Sequence, residues 1–168
     1  MNCLLLRHGI AVSPQEWSGT EPDRPLTKEG HAKARKAAEG LRRIAVQPTH
    51  ILSSPFTRAQ ETANIVKDVL GIEAEIQLCP ELVYDQSPLL LFPVLRKFSQ
   101  TAIVLCVGHE PHLGQTAAIM IFGKGSLGLS LKKAGACLIA FESNVKPGVG
   151  TLEWWAPPAQ LRQLGKRE

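Results

Sequence analysis

The chain has 168 residues, 44% of them hydrophobic and 20% charged, which is ordinary for one globular domain with a single sizeable core. No apolar run approaches the ~20 residues that span a bilayer, Arg7 and His8 interrupt the apolar start, and the four scattered cysteines form no CxxC pair, so a soluble cytoplasmic protein with free thiols and no signal peptide is expected. The net charge of +4 comes with only 5% aromatics and no interleaving of the two, which argues against a nucleic-acid surface and leaves two readings of the basic residues open, a solvated helix face or a field suited to an anionic substrate.

In chain order, Cys3 to Leu6 are continuously apolar and read as a short strand buried on both faces. That strand runs straight into Arg7, His8 and Gly9. Residues 13–26 are rich in Pro, Ser, Gly and acid and read as a loop. Thr27 is the expected N-cap of a long basic helix to about Ala45, with Ala34, Ala37, Ala38, Leu41 and Ile44 on its apolar stripe. A strand is expected over Ile51–Ser54 and a helix over 56–70, stopped by Gly71. An edge-like strand over Glu75–Leu78 and a shorter helical region over 88–98 follow. Ile103 to Val107 form a second buried strand, a helix runs from His112 to Phe122, and glycine-rich residues 123–128 lead to strands over Ala136–Phe141 and Thr151–Trp155. Strands alternating with helices imply an α/β three-layer sandwich, a mostly parallel sheet flanked by helices with an antiparallel C-terminal edge. Residues 1–158 form one domain in this reading, and 159–168 a mobile polar tail. In that architecture ligands bind at the carboxyl ends of the strands, where Gly9 lets the backbone turn and approach them closely.

Three polar bursts stand at strand ends: Arg7 and His8 after the first strand, Ser53, Ser54 and then Arg58 after the second, and His109 after Gly108. Parallel strands ending at one edge bring these groups together. Two arginines and two histidines facing one point are costly without an anion, and phosphate fits because guanidinium forks match its oxygens. A neutral histidine there can attack phosphorus while cations neutralise the equatorial oxygens, without a metal.

The segments Arg7-His8-Gly9, Arg24-Pro25-Leu26-Thr27-x-x-Gly30, Ser54-Pro55-x-x-Arg58-x-x-x-Thr62-Ala63 and Val107-Gly108-His109, in this order, resemble the histidine phosphatase superfamily, named historically for phosphoglycerate mutase. They span positions 7 to 109. The short length and the segments DRPLT, SPFTRAQET, CPEL and GHEP are most similar to its small bacterial branch, the SixA-type phosphohistidine phosphatases. The resemblance implies that His8 is a nucleophile forming a phosphohistidine intermediate. It implies a phosphate pocket of Arg7, Arg58 and His109, to which Ser54 and Gly9 are added as binding candidates. It also implies an acid for the leaving group, for which Glu81 is the candidate. No cofactor and no metal are expected. The partner expected is a phosphorylated protein such as a histidine-containing phosphotransfer domain, with no nucleic acid and no membrane. The alternatives are a phosphatase of small metabolites or phosphate esters, and a phosphoprotein-binding module using the same pocket.

Other features read as structure. His109 and His112 in HEPH lack the spacing of a zinc helix, and Pro111 argues against a regular helix across both. His112 is expected at a helix start near the pocket rim. His31 and His50 read as surface or structural groups, Ser53 as a turn former, and Trp154-Trp155 as packing residues.

Overall fold

In the computed structural model of the chain, which describes residues 1–44, 46–125 and 128–166, the first apolar run forms β1 (Asn2–Arg7) in the interior of a sheet. There follow α1 (Lys28–Arg43), β2 (His50–Ser53), α2 (Thr57–Leu70) and β3 (Ile76–Leu78). After two short 3₁₀ turns (Pro80–Leu82 and Pro88–Leu90) come α3 (Leu91–Leu95), β4 (Ile103–Gly108) and α4 (His112–Phe122). The chain closes with β5 (Ala136–Ala140), β6 (Thr151–Ala156) and α5 (Pro158–Leu164). Among the described residues the sheet has six strands in the order β3-β2-β4-β1-β5-β6. β3, β2, β4 and β1 run parallel, while β5 and β6 add the antiparallel edge that the last two strands predict.

The unbroken apolar run of β1 is required because both faces of the strand are covered. Leu4 and Leu6 pack toward Ala37 and Leu41 of α1 and Ala63 of α2. Cys3 and Leu5 pack on the other face toward Leu91 of α3 and Leu113 and Met120 of α4. Each fully buried leucine contributes about 1.5–3 kcal/mol of transfer free energy. These two cores make the three layers.

Some expectations are corrected. Ile44, placed on the apolar stripe of α1, is its C-cap and is 37% exposed, one step beyond the turn that faces the sheet. The region 88–98 holds only a 3₁₀ turn and the five-residue α3, because Pro88 opens the first and Pro93 is tolerated only within the first turn of the second. The expected end of α1 at Ala45, the connection residues Ser126 and Leu127, and tail residues Arg167 and Glu168 lie outside the described residues.

The segment expected as a mobile tail is α5. Pro158 stands at its N-terminus, where a missing N–H costs nothing, and Leu161 is fully buried against α1. The two helices meet through glycine: a Cβ on Gly40 would lie 2.0 Å from the Leu161 carbonyl oxygen. A polar sequence with a single buried leucine carries too little periodicity to announce such a helix. In an exposed helix Gly→Ala gains ~1 kcal/mol of propensity. Here the clash must displace α5 and uncover Leu161, a loss of about 1.5–3 kcal/mol, so the sign reverses. Gly40→Ala is expected to lower the urea midpoint and to speed amide exchange over residues 158–164; a raised midpoint would refute this packing account.

Candidate active site

Strand register builds the site. β1 and β4 pair with Arg7 opposite Gly108, and the His8 N–H continues the ladder by donating to the Gly108 carbonyl at 3.0 Å. β2 pairs with β4 so that Ser53 faces Val107, and the Ser54 N–H donates to the Val107 carbonyl at 2.9 Å. The three strand ends therefore deliver Ser54, His109 and His8 side by side. The rings of His8 and His109 lie 5.1 Å apart, centroid to centroid. Arg58 enters from the first turn of α2 and is 3% exposed. Arg7, His8, Arg58 and His109 line one pocket of about 390 Å³, together with Glu21, Arg24, Tyr84, Glu110 and Lys133.

His8 is held in one tautomer. Its Nδ1 lies 2.7 Å from the Gly9 carbonyl, which can only accept, so Nδ1 carries the proton and Nε2 the lone pair. Gly9 is itself fixed, because its N–H donates to Thr62 Oγ1 at 3.0 Å, and Thr62 Oγ1 donates to the Arg58 carbonyl at 2.7 Å. One chain of hydrogen bonds thus links His8 to the helix that presents Arg58. Burial, with Arg58, Arg7 and Lys133 nearby, pushes the His8 imidazole down to about 3, against the opposing pull of the Gly9 carbonyl. Burial, then His8 and Arg58, pushes His109 down to about 2. Both rings are neutral at pH 7.

Ser54 is engaged with His109. Its Oγ lies 2.8 Å from His109 Nε2 and accepts from the Phe56 N–H at 3.3 Å. With His109 neutral, one of the two groups donates and the other accepts across this contact. His109 Nδ1, Arg7 Nε and Arg58 Nε are buried with no protein partner among the described residues. An unsatisfied buried donor costs about 1–3 kcal/mol, and the Arg7 and Arg58 guanidinium groups that carry two of these nitrogens line one pocket with His8 and His109, a setting that suits an anion. Of the other guanidinium nitrogens, Arg7 Nη1 donates to the Leu131 carbonyl at 2.8 Å, Arg58 Nη1 donates to the Glu21 carbonyl at 3.0 Å, and Arg58 Nη2 lies 2.9 Å from Glu21 Oε1, which leaves Arg7 Nη2 uncommitted among the described residues.

Both carboxylates of the pocket are occupied. Glu21 takes a two-point bridge from Arg24, with Nε and Nη2 each at 2.8 Å, and this bridge leads the causes that hold its carboxyl below the usual range. Glu110 accepts from the Leu131 N–H at 2.8 Å and the Gly114 N–H at 3.3 Å, although burial raises its carboxyl overall. Phe56 and Tyr84 stand edge-on to His109 at 5.0 and 5.9 Å and form an aromatic rim. Ala134 takes a left-handed φ of 61°, rare for a residue with a Cβ, and its N–H reaches the carbonyls of both Arg7 and His8 at 3.1 Å. The loop carrying Lys133 is thereby pinned to the end of β1.

Four residues do not sit as expected. Gly9 is not among the pocket residues. Its backbone bonds are used within the protein, and a Cβ there would meet the Gly30 carbonyl and Leu26 at 3.3 Å, so its smallness serves packing under α1. Ser54 reaches His109 instead of opening into the pocket, which it does not line. Glu81 does not line it either. The turn Pro80–Leu82 buries Leu82 against Gly108, and the Glu81 carboxylate accepts from the Cys79 thiol at 3.2 Å. His112 opens α4 but is fully buried instead of standing at the rim. Among the described residues no group of three or more His, Cys, Asp or Glu side chains is placed to hold a metal ion. Sequence reasoning missed Glu21, Tyr84, Glu110 and Lys133, and it left Arg24 out of the pocket. Their only signal is charge or an aromatic ring in segments that read as loops.

The comparisons agree with this geometry. The profile of the Histidine phosphatase superfamily (branch 1) matches residues 3–83. An uncharacterised protein of Picosynechococcus is 31% identical over 80% of this chain and 82% of its own. The phosphohistidine phosphatase SixA of Escherichia coli is 28% identical over 96% of this chain and 97% of its own. A solved structure of the protein histidine phosphatase SixA complexed with tungstate superposes with a TM-score of 0.83 at 26% identity, covering 96% of this chain and 99% of that one. With the two histidines side by side at the ends of parallel strands and a relative of this identity and coverage, the chain belongs to the histidine phosphatase superfamily, branch 1.

Proposed function

We propose that the protein is a metal-independent phosphatase in which His8 Nε2 takes the phosphoryl group from phosphohistidine on a signalling protein in the cytoplasm. The observation that carries this reading is the pocket in which Arg7, Arg58 and His109 surround a neutral His8 whose Nε2 holds the lone pair. A tetrahedral phosphoryl group offers oxygens to all three. The similarity to SixA, whose name states phosphohistidine as its substrate, and the oxyanion tungstate in a matching structure support the same reading. The four buried free thiols fit a reducing compartment.

In the first step His8 Nε2 forms a bond to phosphorus as the bond from phosphorus to the substrate imidazole breaks. The electron pair goes to the leaving nitrogen. The substrate ring carries a proton on its other nitrogen and leaves as neutral imidazole. His8 is then a phosphorylated imidazolium whose Nδ1 proton stays with the Gly9 carbonyl. In the second step water attacks phosphorus, its proton ends on the phosphate, and His8 departs neutral. Arg7 and Arg58 neutralise the equatorial oxygens in both steps, and neutral His109 offers them at most a ring N–H. Neither carboxyl group of the pocket is set up to protonate an alkoxide: Arg24 and Arg58 hold Glu21 as a carboxylate, and each Glu110 oxygen accepts a backbone N–H, which favours the ionised form against its burial. That deficit favours a phosphoramidate over an ester, for which a general acid is worth ~10²–10⁴-fold.

The test compares a phosphohistidine protein with a panel of phosphate esters. Wild type should turn over the former faster by at least an order of magnitude; faster ester hydrolysis would reject the substrate while leaving His8 in place. His8→Ala should abolish turnover and the acid-labile, base-stable covalent phosphate, and normal turnover by that variant would move the chemistry elsewhere. EDTA should leave the rate unchanged, because arginines carry the charge neutralisation that divalent ions supply elsewhere. An activity that vanished with EDTA and returned with added metal would overturn this point.

The pH profile has a definite sign. His8 loses its lone pair only near pH 3, so lowering the pH from 8 to 6 leaves the nucleophile intact. Over the same range an imidazole of ordinary pKa, ~6.5, gains its proton and becomes a better leaving group. kcat/KM on phosphohistidine should therefore rise toward pH 6, whereas an aryl phosphate should show no comparable rise. A falling limb in that window would mean that His8 titrates there.

A further inference from the structure

A track of cations leaves the catalytic pocket and crosses the face of α1 and α5. Arg7 and Lys133 line both the catalytic pocket and a second depression, which they form with Lys33, Lys132, Pro158 and Arg162 among others. Lys33 and Arg162 in turn line a groove of about 490 Å³ between α1 and α5, joined by Lys36, Arg42, Arg43 and Lys166. Three concavities thus share walls in sequence. The two outside the catalytic pocket collect nine of the 19 lysines and arginines of the chain, with Glu39 the one acid among their lining residues. Lys33 is bridged to Glu29, and Arg7 lies near Glu110. These cations are gathered along connected depressions, while the chain as a whole carries a net charge of only +4.

The form of the track indicates what it holds. Arg42, Arg43, Lys36, Lys132, Lys133 and Lys166 are exposed, and none is the buried charged anchor that a small-molecule subsite uses. No aromatic side chain lines either depression, so neither has the stacking platform of a single-stranded nucleic-acid site. A row of exposed like charges in a concave surface focuses a positive field on a broad partner and repels itself when alone. One end of the row opens into a pocket that takes a single phosphoryl group.

We propose that this track docks an acidic protein surface beside the phosphorylated histidine, so that the substrate class is an acidic phosphohistidine protein, recognised over its surface as well as at its phosphoryl group. The proposal rests on the phosphatase reading above and adds the partner's charge to it. Such a surface acts on encounter more than on chemistry, and its effect falls as salt screens it.

The test reverses charge far from the catalytic pocket, in the triple variant Lys36→Glu, Arg42→Glu, Arg43→Glu. The substrates are an acidic phosphotransfer domain carrying phosphohistidine and free phosphohistidine, at low and high salt. On the domain, kcat/KM is expected to fall at least tenfold at low salt, with kcat within twofold and the salt dependence flattened. On free phosphohistidine the variant should match wild type. An unchanged kcat/KM on the domain overturns the proposal. Should both substrates lose rate, the triple glutamine variant decides: a loss confined to the domain supports docking, and none overturns it. Competition by a single-stranded oligonucleotide that the same substitutions abolish would assign the track to nucleic acid and overturn it as well. If wild type turns over neither phosphohistidine substrate, the phosphatase reading fails. Docking is then judged by the binding of the unphosphorylated domain, which should weaken at least tenfold in the variant, and equal binding rejects it.

Discussion

The register of β1 against β4 is the constraint on which the site depends. Both strands are apolar on both faces, so each must lie inside the sheet, and a slip of one residue would turn Leu4 and Leu6 toward the wrong core. With Arg7 opposite Gly108, the chain emerges from both strands at the same level, and His8 and His109 have nowhere to stand but beside each other. β2 joins on the far side of β4 and adds Ser54 at the same edge. The chemistry-bearing residues are thus positioned by ladder hydrogen bonds, the least adjustable interactions in the molecule.

That placement creates an electrostatic problem. Arg7, Arg24, Arg58 and Lys133 line one small pocket against two carboxylates, and burial penalises the charges of the three arginines and of both glutamates. Arg7 and Arg58 are both held below their ordinary pKa, by desolvation first, while Glu110 and Glu21 respectively pull them back up. The two histidines resolve their share by staying neutral. For His8 this is also what nucleophilic chemistry needs, since a protonated ring has no lone pair. The same desolvation that destabilises charge in the free pocket strengthens its hold on an oxyanion once water is excluded.

Much of this was legible in the sequence, and particular residues explain where legibility stopped. Strands such as Cys3–Leu6 and Ile103–Val107 declare themselves by unbroken apolarity, and a polar burst after each declares the sheet edge. That pattern places Arg7, His8 and His109 at one edge, because strand ends are fixed by pairing, and Arg58 follows from the helix that opens just after β2. Glu81 was misplaced for the opposite reason: it sits in a one-turn 3₁₀ segment whose orientation is set by burial of its neighbour Leu82. Glu21, Tyr84, Glu110 and Lys133 come from loops, where side-chain direction follows tertiary contacts that no local period encodes. α5 was hidden for a related reason, since its docking depends on the absence of a side chain at Gly40, more than a hundred residues earlier.

The two carboxylates of the pocket connect the geometry to the class of substrate. A glutamate beside a reacting phosphoryl group invites the role of acid, and burial raises Glu110 in the direction that role requires. Its oxygens, however, receive the N–H groups of Leu131 and Gly114, and these bonds hold the loop whose Leu131 carbonyl in turn receives Arg7. Protonating Glu110 would weaken these bonds and loosen the Arg7 guanidinium. Glu21 is bound more firmly still, by Arg24 and Arg58 together. Each carboxylate is therefore committed to holding an arginine in place. In the proposed reaction the pocket binds phosphate and supplies a nucleophile, and the proton for the leaving group has to arrive on the substrate, which an imidazole provides and an alkoxide does not.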